Sequence, residues 1–261
     1  LYLSQYNRSD FGPIFNLEAG YENNTSLGVS LADVRNEHYA FLLNGATGDV
    51  YGNEDVWPFA TSWRDWQAAR NSPGAHQMTY FANLVKSIAW SKLVPDQTGT
   101  VFTGIGSPTD YSGAYTTDGT LAVAYKPSTG SGAQSFTVNM GKFVGSVTAQ
   151  WYDPTSGAYS PIGTFANSGT HTFNTPSSNS AGANDFVLVL RSSATVPAAP
   201  TGLTATAANT AVTLTWTASA GAVSYNIYRS TASGSEIKIA TNPATITTTS
   251  YTDTGLTNGI K

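Results

Sequence analysis

The stretch Pro13-Ile14-Phe15-Asn16-Leu17-Glu18-Ala19-Gly20-Tyr21-Glu22 carries the residues best suited to chemistry. Its apolar half reads as a buried strand that ends on a carboxylate, Glu18, and opens into a glycine-containing loop holding Tyr21 and Glu22. A carboxylate at a strand end can act as nucleophile or base if a second acid stands opposite. It can equally cap the following helix or pair with Arg35. The three histidines, His38, His76 and His171, show no spacing suited to a metal site, and the chain has no cysteine. No cofactor is expected.

The elements that must position Glu18 follow from periodicity. Leu31 to Asn44 places Val34, His38, Phe41 and Leu42 on one helical face, with Gly45 as the stop. Gly48-Asp49-Val50-Tyr51-Gly52 reads as a short strand. Thr61 or Ser62 can cap a short helix with Trp63 and Trp66. Ser72-Pro73 starts a longer helix whose expected core face is Met78, Phe81, Ala82, Val85 and Ala89, ended by Pro95. The resulting order, strand, helix, strand, helices, implies parallel strands.

From residue 98 to about 193 the helical period gives way to short alternating runs. These are Val101–Ile105, Leu121–Tyr125, Ser135–Val138, Val147–Tyr152, Tyr159–Phe165, His171–Phe173 and Phe186–Leu190. Turn residues separate them, including Asp153-Pro154, which reads as a turn rather than a site. This is the pattern of a β-sandwich. A small-residue linker, Ser192 to Pro200, leads to three further short strands, Ala211–Trp216, Val223–Arg229 and Glu236–Ala240.

Charged residues make up 11% of the 261 and the formal net charge is −4. That balance argues against nucleic acid as a partner and against a polybasic membrane contact. No apolar run reaches the roughly 20 residues of a membrane span. The Thr/Ser/Gly-rich, Lys-poor composition points to a secreted, extracellular bacterial protein. The chain opens on Leu1-Tyr2-Leu3 without Met and is expected to be part of a longer polypeptide.

Two resemblances become visible on these residues. Pro200-Thr201-Gly202-Leu203, Val212-Thr213-Leu214-Thr215-Trp216, Tyr225-Asn226-Ile227-Tyr228-Arg229 and Tyr251-Thr252-Asp253-Thr254-Gly255-Leu256 resemble a fibronectin type III domain. Trp216 would be its core tryptophan, and the last two strands of that family would be missing. The Pro13–Glu22 stretch, Val34-Arg35 with Tyr39, Gly45 to Gly52, Trp57, Trp66, Pro73-Gly74-Ala75 and Trp90 with Leu93-Val94-Pro95-Asp96 resemble the C-terminal part of apiosidase-like glycoside hydrolases. Trp151-Tyr152-Asp153-Pro154 and Asp185 to Leu190 are similar to the collagen-binding-type β-sandwich that often follows that barrel.

The resemblances imply a multidomain α/β plus all-β chain. Residues 1–97 would be the C-terminal part of a (β/α)8 barrel, 98–193 a β-sandwich, and 197–261 a truncated fibronectin type III sandwich. Glu18 would then sit at the end of strand seven, where retaining glycosidases of related barrels carry their nucleophile. Glycoside hydrolysis takes two carboxylates, and in this class of barrel the acid comes from strand four, which these residues do not contain. Glu22 would orient Glu18 or bind a sugar hydroxyl, with Tyr21 and Asn53 as further substrate contacts. Trp57 would stack on a sugar ring, or serve as a core or lid residue. The implied partner is a polysaccharide or glycan, with cell-surface or matrix material as a further one. The alternative is a non-catalytic binding or fibre-forming module that self-associates through open sheet edges.

Overall fold

The computed structural model describes residues 2–10, 12–59, 65–105, 113–193, 197–239 and 245–259. The chain divides into two compact units, residues 1–194 and 195–261.

The first unit begins with α1 (Tyr2–Tyr6), β1 (Phe15–Asn16), α2 (Leu31–Leu43) and β2 (Gly48–Asp49). β1 and β2 are parallel, with Phe15 opposite Gly48 and Asn16 opposite Asp49. α2 starts on a capping box, in which Ser30 accepts from the Asp33 amide and Asp33 accepts from Ser30. Asn44 caps its end, and Gly45 follows at φ +91°, the left-handed conformation that closes a helix. The short α3 (Trp66–Ala69) is capped by Asp65. The proposed cap residues Thr61 and Ser62, and Trp63, lie outside the described residues. α4 (Pro73–Lys86) begins with Ser72 as cap and Pro73 in the first turn.

Two expectations are corrected here. The strand at Phe15–Leu17 is not buried through its apolar positions: Phe15 and Leu17 are exposed, Leu17 at 76%, and the polar Asn16 between them faces inward. The inward side of this two-stranded sheet is the one covered by helix, so alternation turns the apolar pair outward. α4 fully buries Gly74, Gln77 and Leu84; of the expected face, Phe81 packs on the core edge-on to Tyr39, Met78, Ala82 and Val85 are half-buried, Ala89 lies exposed beyond the helix, and α4 ends at Ser87. The Ser87 hydroxyl donates to the Leu84 carbonyl, and Pro95 belongs to a strand.

That strand, β3 (Leu93–Pro95), opens a set of antiparallel sheets. It is followed by β4 (Phe102–Thr103), β5 (Gly113–Thr116), β6 (Leu121–Lys126), β7 (Ser135–Asn139), β8 (Val147–Tyr152), β9 (Tyr159–Phe165), β10 (Thr170–Asn174) and β11 (Phe186–Ser192). Six strands form one sheet in the order β3-β5-β6-β11-β8-β9, and three form another, β10-β7-β4.

β6 and β11 are apolar at successive positions because the six-stranded sheet is buried on both faces. Ala122, Ala124, Phe186, Leu188 and Leu190 point into the core shared with Phe102, Phe136, Val138 and Phe173 of the smaller sheet. Leu121, Val123, Tyr125, Val187 and Val189 point the other way, onto Tyr39 and Leu43 of α2 and Leu84 of α4. The helices and the sheets therefore share a hydrophobic core.

The second unit holds β12 (Thr201–Ala208), β13 (Ala211–Thr217), the short hairpin β14 (Tyr228–Arg229) and β15 (Ile237–Lys238), and β16 (Ser250–Thr254). β12, β13 and β16 form an antiparallel sheet. Its core is Trp216, Ile227 and Ile246, with the Tyr225 ring set edge-on to Trp216 at 5.2 Å.

Candidate functional site

The parallel pairing of β1 and β2 brings both strand ends to the same side. Beyond the strands the two segments stay alongside each other: the Glu22 amide donates to the Gly52 carbonyl (3.1 Å) and the Glu54 amide to the Glu22 carbonyl (2.9 Å). Glu18, Tyr21, Glu22, Asn53 and Trp57 therefore all lie after the C-terminal ends of parallel strands.

Their environments differ. Glu18 is exposed, and its carboxylate takes a hydrogen bond from the Tyr21 hydroxyl. Partial burial, and then the neighbouring Glu18, push the Tyr21 phenol up, so it stays a donor at neutral pH. Tyr21 is held by Gly52, where any Cβ would lie 2.2 Å from the ring. Trp57 is 68% exposed, with a face free for stacking. Arg35 is not the partner of Glu18; it is buried against Asp185.

Glu22 is 4% exposed. Its carboxylate accepts from Tyr51, Ser72, Asn53 Nδ2 (3.0 Å) and the Gly74 amide (3.0 Å). Ser72, the cap of α4, and the Gly74 amide in its first turn present the N-terminus of a helix to a negative charge, the favourable end of its dipole. Gly74 is required for this approach, because a Cβ there would sit 2.5 Å from Glu22 Oε2. Asn53 is buried too, its Oδ1 accepting from the Asp55 amide (2.9 Å). Glu22 and Asn53 thus fasten the loops after β1 and β2 to α4.

Beneath Glu18 lies a buried polar chain that periodicity did not single out. Asn16 Nδ2 donates to Asp49 Oδ1 (3.0 Å), and Asp49 Oδ2 meets His38 Nδ1. Asn16 Oδ1 accepts from the Glu18 amide at 3.4 Å. The inward-facing polar residue in an otherwise apolar strand was the available signal for this arrangement. Among the described residues no cluster of three or more His, Cys, Asp or Glu could hold a metal, and no helix is long and apolar enough to cross a membrane.

Comparison with known proteins bears on this geometry. Residues 2–92 match the sequence model of the family described as "Apiosidase-like, catalytic domain". Residues 94–191 match the model described as "Putative collagen-binding domain of a collagenase". Among solved structures, one glycoside hydrolase is 26% identical with a TM-score of 0.62, over 74% of this chain and 45% of its own. A glycoside hydrolase family 5 structure from Bacteroides vulgatus ATCC 8482 gives the same identity and TM-score, over 74% of this chain and 44% of its own. Amylopullulanases from Thermoanaerobacterium saccharolyticum and Thermoanaerobacter thermohydrosulfuricus are 46% and 50% identical over 68 residues, or 26% of this chain and 5% and 4% of theirs. The chain spans less than half the length of these solved structures and a small fraction of the amylopullulanases.

Proposed function

We propose that this chain is the C-terminal portion of a secreted glycoside hydrolase acting on polysaccharide, and that Glu18 is one of its two catalytic carboxylates. In this reading β1 and β2 are the last two strands of a (β/α)8 barrel, and residues 195–261 form a partial fibronectin type III sandwich. The likeness of residues 2–92 to the apiosidase-like catalytic domain and the glycoside hydrolase neighbours support it.

The observation that carries the assignment is local. Glu18 is the exposed acid at the C-terminal end of a parallel strand, the position where barrels of this type place reacting groups. Its own phenol donor, Tyr21, orients the carboxylate. Glu18 acts as nucleophile at the anomeric carbon, or as base toward the attacking water. A carboxylic acid from another strand protonates the departing glycosidic oxygen. Trp57 offers its exposed face to a sugar ring. Glu22 and Asn53 contribute by fixing the loops that carry Glu18 and Trp57.

The test is release of reducing sugar from plant or microbial polysaccharide by the polypeptide that contains the whole barrel. Glu18→Gln should abolish release while leaving the thermal unfolding curve in place, since an exposed side chain with one neutral donor contributes little to stability. Undiminished hydrolysis by Glu18→Gln would remove Glu18 from the mechanism and favour a binding module.

A further inference from the structure

α4 and the six-stranded sheet border an open cleft of about 250 Å3 that shares no residue with the Glu18 site. Its walls are Tyr80 of α4, Tyr152 at the end of β8 and Tyr159 at the start of β9, with Asn83, Ser87 and Ser156 at the rim.

The tyrosines are fixed in place. The Tyr152 hydroxyl donates to the Tyr80 carbonyl at 2.7 Å, and the Tyr152 and Tyr159 rings stand 4.8 Å apart, tilted by 57°. The Tyr159 hydroxyl lies 3.2 Å from Ser87 Oγ, and the Arg191 guanidinium stands 5.8 Å from the Tyr159 ring. The turn between β8 and β9 is braced by Asp153, which accepts from the Thr155 amide and hydroxyl through one oxygen and from the Ser180 amide and hydroxyl through the other. In that turn Gly157 has φ +74°, and a Cβ there would come within 2.9 Å of the Tyr80 ring. The missing side chain is what lets the ring lie against the turn.

No residue lining the cleft is charged. The lining itself therefore offers an ion no direct partner to replace its hydration. Aromatic faces beside hydroxyl and amide groups suit a molecule with apolar C–H faces and several hydroxyls. The volume falls below the roughly 300–1,000 Å3 of drug-sized ligand sites, which limits the occupant to about one ring. We propose that this cleft is a second carbohydrate site, taking one neutral sugar unit of a glycan. Tyr159, 38% exposed, is the aromatic contact, and Asn83 and Ser87 are the hydroxyl partners. The site anchors glycan on the sandwich side of the unit and does not depend on the role given to Glu18.

The test is a titration of this chain, labelled in its tyrosine rings, with xylotriose and separately with maltotriose as neutral probes, followed by NMR. With at least one probe the ring signals of Tyr80, Tyr152 and Tyr159 should move together while those of Tyr225 and Tyr251 stay still. Tyr159→Ala should weaken that binding roughly tenfold, the scale of one lost aromatic contact. Asn83→Ala, an exposed change on α4, should weaken it less and leave the fold intact. Silent cleft signals with both probes at millimolar sugar would overturn the proposal. So would binding that survives both substitutions unchanged. Binding is read without hydrolysis, so either result stands apart from the outcome at Glu18.

Discussion

Arg35 and Asp185, 150 positions apart, meet as a two-pronged ion pair: Nε to Oδ2 and Nη2 to Oδ1, both at 2.7 Å, with both side chains at 2% exposure or less. Gln77 accepts from the third nitrogen of Arg35, and Tyr125 and Asn179 donate to Asp185. Burial alone would lower the Arg35 pKa, but Asp185 holds it above the usual value. The pair joins the segment similar to a catalytic domain to the segment similar to a collagen-binding domain. Beside it, Tyr39 of α2 stacks on Tyr125 of β6 at 4.6 Å. Residues 1–194 form one compact unit, and the two segments are expected to unfold together.

Asp185→Ala leaves the Arg35 guanidinium buried and unpaired. The expected loss is about 3–5 kcal/mol. In urea, helical ellipticity and the fluorescence of Trp151 should shift to lower denaturant together. A helix signal that falls while the sandwich signal stays put would contradict a shared fold.

Gly74→Ala reverses the usual effect of alanine in a helix. At an open position alanine gains roughly 0.8–1 kcal/mol over glycine. Here the added methyl group displaces the Glu22 carboxylate from its donors, and the expected net loss is about 1–3 kcal/mol. Thermal unfolding of Gly74→Ala beside Glu22→Gln checks this. A rise in Tm for Gly74→Ala would show that the carboxylate has room to move.

Alkaline pH should loosen the unit through its buried phenols. Burial, and then the hydrogen bond to Glu22, push the Tyr51 pKa from 10.0 up to about 12. Burial likewise raises Tyr39 and Tyr125. A raised folded-state pKa means that the unfolded chain gives up its proton first. The stabilisation is complete below about pH 10 and drains away as the pH climbs toward 12. Tyr51→Phe should flatten the first part of that decline, followed by ellipticity against pH. An unchanged slope would place the sensitivity in the other tyrosines.

Leu17 separates this chain from a longer one. At 76% exposure, Leu17→Asn should change the stability of the present chain by less than about 0.5 kcal/mol. In a polypeptide whose further strands cover that face, the same change should cost about 2–5 kcal/mol. Denaturant midpoints of the two polypeptides, each with and without the substitution, make the comparison. Equal small effects would argue against a closed barrel.

Much of the local structure was legible because it depends on neighbours in sequence. Ser72-Pro73 starts α4, Gly45 follows the end of α2, and the runs at Leu121, Val147, Tyr159 and Phe186 are strands. β5 was missed: Gly113-Ala114-Tyr115-Thr116 is too short and weakly patterned to stand out, and it is held by β3 and β6 on either side. The α2 face was only half read. Arg35 and Tyr39 look like solvent residues by type and are buried because the large sheet packs on a second side of the helix.

At the site the division is similar. Residue order alone was enough to say that a carboxylate follows a short strand, that a tyrosine and a second carboxylate come just after, and that a parallel strand lies downstream. These depend on residue order and turn chemistry. Long-range packing settles the rest: Glu18 stays in solvent with Tyr21 while Glu22 is drawn under the N-terminus of α4. Two glutamates four positions apart look the same along a chain. Their fates diverge because a helix 50 residues further on offers backbone and hydroxyl donors to one of them and not to the other, and desolvating a carboxylate is tolerable only where such donors converge.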